Sequence, residues 1–202
     1  MQQEIEVKFL NVNHDEVREK LKAAVAKLEQ PMRLMRRAII DYPDRRLQSK
    51  QDGWIRVRDE GDKITLTYKE AKEQVAGGAR EIELNISSFE QAIKLFEAIG
   101  LKVESFQESK RETWVLDECE VVLDEWPWLK PYIEIEGPSE VAIQSASEKL
   151  GFDWQDVVYG STTVAYLAEY PGIKLDKNET IGNIPEIRFG EPLADWLKER
   201  KV

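Results

Sequence analysis

The chain has 202 residues, 42% of them hydrophobic and 34% charged, with one cysteine, one histidine and a formal net charge of −10. That length suits one domain, or one domain with a short appendage; Cys119 and His14 alone exclude both a disulfide framework and a Cys/His zinc site, so any metal must be held by oxygen. The acidic balance argues against coating DNA or RNA, and with no apolar run able to cross a bilayer and no exporting N-terminus, a cytoplasmic protein is expected.

The opening MQQEIEVKFL alternates, with Glu4, Glu6 and Lys8 on one face of an extended chain and Ile5, Val7 and Phe9 on the other. HDEVREKLKAAVAKLEQP carries Val17, Leu21, Ala24, Val25 and Leu28 at helical spacing between Asp15 and Pro31, which predicts a helix. Residues 32–42 read as a strand closed by the turn DYPD. GWIRVRDEG and DKITLTYKE alternate on either side of a Glu-Gly-Asp turn, which predicts a hairpin, and the loop AKEQVAGG follows. Residues 79–87 alternate again, and SFEQAIKLFEAIG predicts a helix with a serine start and a glycine stop. Segments 101–117, 120–126 and 131–137 read as strands, SEVAIQSASEKLG as a helix, and 155–170 as a continuation of helix. Beyond Pro171 come Gly, Asn and Pro punctuation and a short helix around PLADWLKER. This order predicts an α+β fold with one antiparallel sheet and helical additions.

The strands share a further property: their polar faces are sorted by sign. Arg56 and Arg58 share a face, as do Thr65, Thr67 and Lys69, then Glu81 and Glu83, then Glu134 and Glu136, while the residues between them are largely aliphatic. A merely solvated face mixes acids and bases, as the helix after His14 does. Closing such a sheet would set an acidic sector against a basic one. That cavity suits several phosphates held by Arg and Lys, with Mg²⁺ or Mn²⁺ between phosphates and carboxylates. A barrel of about eight strands leaves room for side chains and one small ligand.

In order along the chain, EIEVK, DYPDRRL, GWIRVR, LTYK, REIEL, SKRETW, VVLDEW and YIEIEG resemble the CYTH-domain proteins of the triphosphate tunnel metalloenzyme group, whose signature is an N-terminal Glu-x-Glu-x-Lys. The similarity covers residues 3–170. It implies an eight-stranded antiparallel β-barrel, open at both ends and flanked by helices, as a tunnel domain over 1–170, followed by a helical C-terminal extension over 171–202. It also implies that a triphosphate binds inside with one or two divalent metals, Mg²⁺ or Mn²⁺. By this resemblance Glu4, Glu6, Asp124, Glu134 and Glu136 would be metal ligands, and Lys8, Arg56, Arg58, Lys69 and Arg111 would bind phosphate oxygens. Glu4, Glu6 and Lys8 form the catalytic signature, and Glu81 and Glu83 would line the same wall. Lys110 is a weaker phosphate candidate: relatives carry Lys-x-Arg on this strand, whereas here Ser109 precedes Lys110 and Arg111, and alternation turns Lys110 away from Arg111.

The resemblance implies hydrolysis of inorganic triphosphate or of an organic triphosphate such as thiamine triphosphate or a nucleotide. The alternatives are a class IV adenylyl cyclase, in which the ATP ribose hydroxyl displaces pyrophosphate, and a non-catalytic polyphosphate- or nucleotide-binding module. The full carboxylate set favours catalysis, and hydrolysis is favoured because it needs no base-specific pocket. The expected partner is thus a triphosphate-containing small molecule, with no nucleic acid and no membrane, and the protein would be a monomer or homodimer. His14 reads as a solvated residue near a helix cap, Cys119 as an inert thiol in a turn, Trp126 and Trp128 as rim packing, and PDRRLQSK as a solvated loop. Leu193, Trp196 and Leu197 at helical spacing predict a C-terminal helix packed across the barrel or against a second subunit.

Overall fold

Each alternating segment forms a strand in the computed structural model, which describes residues 5–51, 53–71, 79–173, 181 and 184–198. The strands are β1 (Ile5–Phe9), β2 (Lys27–Asp41), β3 (Gly53–Asp59), β4 (Ile64–Ala71), β5 (Ala79–Ile86), β6 (Lys102–Leu116), β7 (Cys119–Glu125) and β8 (Tyr132–Gly137). They build one antiparallel sheet in the order β1-β8-β7-β6-β2-β3-β4-β5, and a short β9 (Glu186–Ile187) runs parallel to β6. The α+β class and the eight antiparallel strands agree with expectation.

The closed barrel is not seen: among the described residues no ladder joins the edge strands β1 and β5. The reason is local. On the free edge of β1, the Lys8 N–H donates to the Val158 carbonyl and the Val158 N–H to the Lys8 carbonyl, each at 2.9 Å. The backbone groups that closure would use at Lys8 are therefore already satisfied. The same contact corrects the expected helix over 155–170. After one 3₁₀ turn (Trp154–Asp156) the chain runs extended, and a new helix begins only where the Ser161 hydroxyl caps it. The Arg37 guanidinium of β2 reaches across β6 to lie 4.5 Å from the ring of Trp126, which follows β7.

The helices are α1 (His14–Ala23), α2 (Arg46–Gln51), α3 (Phe89–Ala98), α4 (Glu140–Lys149), α5 (Thr162–Glu169) and α6 (Asp195–Lys198). Ser88 caps α3 as the sequence predicts, and Ser139 likewise caps α4. The run PDRRLQSK is loop only up to Arg45; from Arg46 it forms α2, where the Asp41 carboxylate accepts from the Leu47 and Gln48 N–H groups at 3.1 Å. Helix α1 ends five residues before the expected Leu28, which belongs to β2. Its end is a Schellman turn: the Ala26 N–H donates to the Leu21 carbonyl and the Val25 N–H to that of Lys22. The left-handed position is held by Val25, at φ 60° and 89% exposed, where α3 and α4 use Gly100 and Gly151. A β-branched residue there is strained, so Val25→Gly is expected to stabilise the protein by about 1 kcal/mol and raise the melting temperature by roughly 2–4 °C. A lower melting temperature in thermal denaturation would contradict that reading.

The apolar face of β1, β7 and β8 packs Val7, Phe9, Leu123, Ile133 and Ile135 against Val17 and Leu21 of α1 and Ile143 of α4. On the same side further along, Ala38, Ile40 and Val57 pack against Phe89 of α3. A third cluster lies across one end of the opposite face: Trp126 and Tyr132 are covered by Tyr166, Tyr170, Ile181, Ile187 and Leu197. Among the described residues no helix is long and apolar enough to cross a membrane.

Candidate functional site

Residues opposite each other in an antiparallel ladder share a face, so the register follows one face from strand to strand. Glu6 lies opposite Glu136, Lys8 opposite Glu134, and Glu136 opposite Glu120. Asp124 lies opposite Arg111, Arg111 opposite Arg33, and Arg37 opposite both Gln107 and Arg58. Arg56 then lies opposite Thr67, and Thr67 opposite Glu83, while Lys69 lies opposite Glu81. The apolar residues between them turn to the helices, which leaves a charged wall on the other side.

At the β1–β8–β7 end the charges are tightly compensated. Lys8 Nζ, 1% exposed, lies 2.8 Å from Glu6 Oε1 and 3.1 Å from Glu134 Oε1. Burial opposes its charge, but Glu134 and Glu6 outweigh burial and hold its pKa above the ordinary value. Arg111 donates through Nε and Nη2 to the two oxygens of Asp124 at 2.7 and 2.6 Å, and through Nη2 to Glu134 Oε2 at 2.7 Å. The buried Tyr132 phenol beside them is pushed up, by burial first and then by Asp124 and Glu134.

Burial alone would raise the Glu134 carboxyl; Lys8 and Arg111 instead pull it from 4.5 down to about 2. A carboxyl depressed on folding stabilises the protein fully above its unfolded pKa and loses that contribution as pH falls through the folded one. The melting temperature should therefore drop between pH 4.5 and about 2 partly through Glu134. Glu134→Gln should flatten that part of the profile, and an unchanged profile would contradict the assignment.

At the β2–β3–β4 end cations gather more closely than carboxylates. Arg58 pairs with Glu60 at 2.7 Å and Lys69 with Glu81 at 2.8 Å, while Arg56 is 3.8 Å from Glu83. Burial, Arg58 and Arg37 lower the Arg56 pKa to about 9, and burial, Arg58 and Arg111 lower that of Arg37 to about 10. Guanidinium stays charged at neutral pH, so these directions report burial first and then repulsion among neighbouring cations, which an anion would relieve.

The donor chemistry fits a hard cation: facing carboxylates from β1, β8 and β7 offer only oxygen. Asp124 and Glu134 are turned onto Arg111 and Lys8, and among the described residues no three Asp, Glu, His or Cys side chains converge as a metal site.

The CYTH domain family matches residues 2–158. The chain belongs to the CYTH domain family. Among curated proteins none matches it. Solved structures resemble this CYTH chain along most of its length. The PH1012 protein of Pyrococcus horikoshii OT3 is 25% identical, with a TM-score of 0.63, over 77% of this chain and 94% of that one. A Vibrio parahaemolyticus protein proposed to be an adenylate cyclase is 18% identical, with a TM-score of 0.69, over 79% and 95% of the two chains. HpAC1 from Hippeastrum, proposed as an adenylyl cyclase and found to have a dominant triphosphatase activity, is 16% identical, with a TM-score of 0.58, over 88% and 99%. The last two likenesses show the fold alone.

Within the CYTH domain, Glu6, Lys8, Arg56, Arg58, Lys69, Glu81, Glu83, Arg111, Asp124, Glu134 and Glu136 share the charged face. Glu4 lies outside the described residues. Lys110 is on the other face, 3.4 Å from Glu125 and 4.9 Å from the Phe189 ring, so it does not join the wall. His14 is not solvated: it is buried, with Nε2 3.0 Å from the Tyr132 carbonyl oxygen. Cys119 opens β7 rather than a turn, and burial, then Glu118 and Asp117, raise its pKa. Trp126 does pack at the rim, and Trp128 Nε1 donates to the Glu191 carbonyl at 3.0 Å. Arg37 and Tyr132 were not anticipated. The same alternation finds Arg37 when applied to MRRAII, where Met35 and Ile39 share its face and dilute the charge signal.

Proposed function

We propose that this CYTH protein is a divalent-metal-dependent triphosphatase, cleaving a phosphoanhydride of inorganic triphosphate or of an organic triphosphate such as a nucleotide or thiamine triphosphate. One observation carries this reading: a single face of the eight-stranded sheet gathers half-buried and buried cations beside oxygen-only carboxylates, sorted by sign from strand to strand. Lys8, Arg56, Arg58, Lys69 and Arg111 would bind non-bridging phosphate oxygens, and the sheet would form the wall of the tunnel around them. Arginine forks fix the orientation of the chain, and the lysines supply mobile point charges. Mg²⁺ or Mn²⁺, held by Glu4, Glu6 and Glu136 with Asp124 and Glu134, would withdraw charge from the phosphates as a Lewis acid. As negative charge builds on the leaving phosphate, the cations already in place stabilise it without reorganising. Glu81 and Glu83 hold Lys69 and Thr67 in position at the far wall.

Phosphorus NMR of the products from ATP with Mg²⁺ or Mn²⁺ tests the reaction class. Hydrolysis gives either ADP and phosphate or AMP and pyrophosphate. Cyclic AMP with pyrophosphate would make the protein a cyclase, and unreacted ATP and unreacted tripolyphosphate together would leave a binding module.

A further inference from the structure

On the charged face every cation but one has a carboxylate partner among the described residues. Lys8 has Glu6 and Glu134, Arg33 and Arg58 have Glu60, Arg56 has Glu83, Lys69 has Glu81, and Arg111 has Asp124 and Glu134. Arg37 has none. Its Nη2 donates to the Ser109 hydroxyl at 3.1 Å, its guanidinium lies 4.5 Å from the Trp126 ring, and its buried Nε has no hydrogen-bond partner. Of its charged neighbours, Arg58 and Arg111 oppose its charge more than Asp124 favours it. A guanidinium removed from water costs free energy unless a counter-charge or a full set of acceptors compensates it.

The surroundings also hold it still. Trp126 is buried by Tyr166, Tyr170, Ile181, Ile187 and Leu197, so the ring under Arg37 is fixed by α5 and the chain beyond it. On the wall side, Gln107, directly opposite Arg37, donates to the Ile181 carbonyl at 3.2 Å, and Ser105 donates to that of Ile184. The C-terminal segment thus covers the sheet beside Arg37 and leaves it half-buried. A stacked guanidinium with a free donor and no counter-ion is preorganised for an anion, and little side-chain entropy remains to be lost on binding.

We infer that Arg37 is a further substrate-binding residue, gripping a phosphate oxygen between Arg58 and Arg111 at the end of the charged face covered by α5 and the C-terminal segment; this assignment rests on the triphosphate reading above. The vacant acceptor position is the phosphate's, and Ser109 and Trp126 are positioning residues that aim the fork.

Titration calorimetry of the full chain with tripolyphosphate, beside thermal melting without ligand, tests this. Arg37→Met should weaken binding by about tenfold to a hundredfold, the range for losing a charge-assisted hydrogen bond. The unliganded Arg37→Met protein should melt at or above the wild-type temperature, since an uncompensated charge has gone. Arg37→Lys keeps the charge without the fork and should bind with intermediate affinity. Wild-type affinity in Arg37→Met, or a lower melting temperature with unchanged affinity, would make Arg37 a structural residue and overturn the inference while the triphosphate reading stands. If Arg37→Met does not fold, Arg37→Lys decides: reduced affinity supports the assignment and wild-type affinity overturns it. A wild-type protein that does not bind tripolyphosphate would overturn both.

Discussion

Replacing Arg111 by methionine will lower triphosphate turnover by about a hundredfold or more and destabilise the unliganded protein by about 3–5 kcal/mol. Arg111 serves two carboxylates at once, Asp124 through a two-pronged contact and Glu134 through Nη2. Asp124 is 1% exposed, so water cannot replace the lost donors. Methionine keeps much of the volume and leaves both carboxylates underpaired, and the cost is that of an uncompensated buried charge rather than of packing. The pKa of Glu134 should rise as one of the cations that lower it disappears. Arg111→Lys should recover part of the stability and little of the activity, because an ammonium cannot reproduce the fork. Denaturant unfolding and kcat/KM for tripolyphosphate check the two effects separately. A destabilised but fully active variant would remove Arg111 from the site.

Truncation after Gly172 is the second large effect. It removes Ile173, Ile181, Ile187 and Leu197, all buried against Trp126, Tyr132, Tyr166 and Tyr170. Each such side chain contributes about 1.5–3 kcal/mol when buried, so the sum is comparable to the whole stability of a typical domain. Gln107 and Ser105 would also lose the carbonyls they donate to. The truncated chain should therefore melt at least about 10 °C lower or fail to fold. An unchanged melting temperature would mean that the C-terminal segment does not hold this end of the sheet.

Much of this arrangement is legible in the sequence because strand alternation is a local property. EIEVK, WIRVR, TLTYK, EIEL and YIEIEG each declare which residues share a face, and register carries those faces into one wall. What stays hidden depends on distant partners or on unusual local choices. Helix α1 stops at a Schellman turn that uses Val25 where a glycine would have announced the end. Residues 157–158 look helical until Lys8, far away in sequence, offers them a free strand edge. His14 is buried by a contact with Tyr132, which no pattern around residue 14 foretells. Arg37 was discoverable but diluted, since its strand lacks the paired charges that mark β3 and β8. The open edge between β1 and β5 is likewise a long-range matter that strand count alone does not decide.

The central claim, that the wall of β1 to β8 cleaves a phosphoanhydride, is tested most directly by incubating the purified protein with tripolyphosphate and Mg²⁺ or Mn²⁺ and quantifying the products beside a Glu6→Gln control. Phosphate and pyrophosphate in equal amounts, lost in the control, are the predicted result. Tripolyphosphate and ATP both left intact with either metal, or tripolyphosphate cleaved equally well by Glu6→Gln, would contradict it.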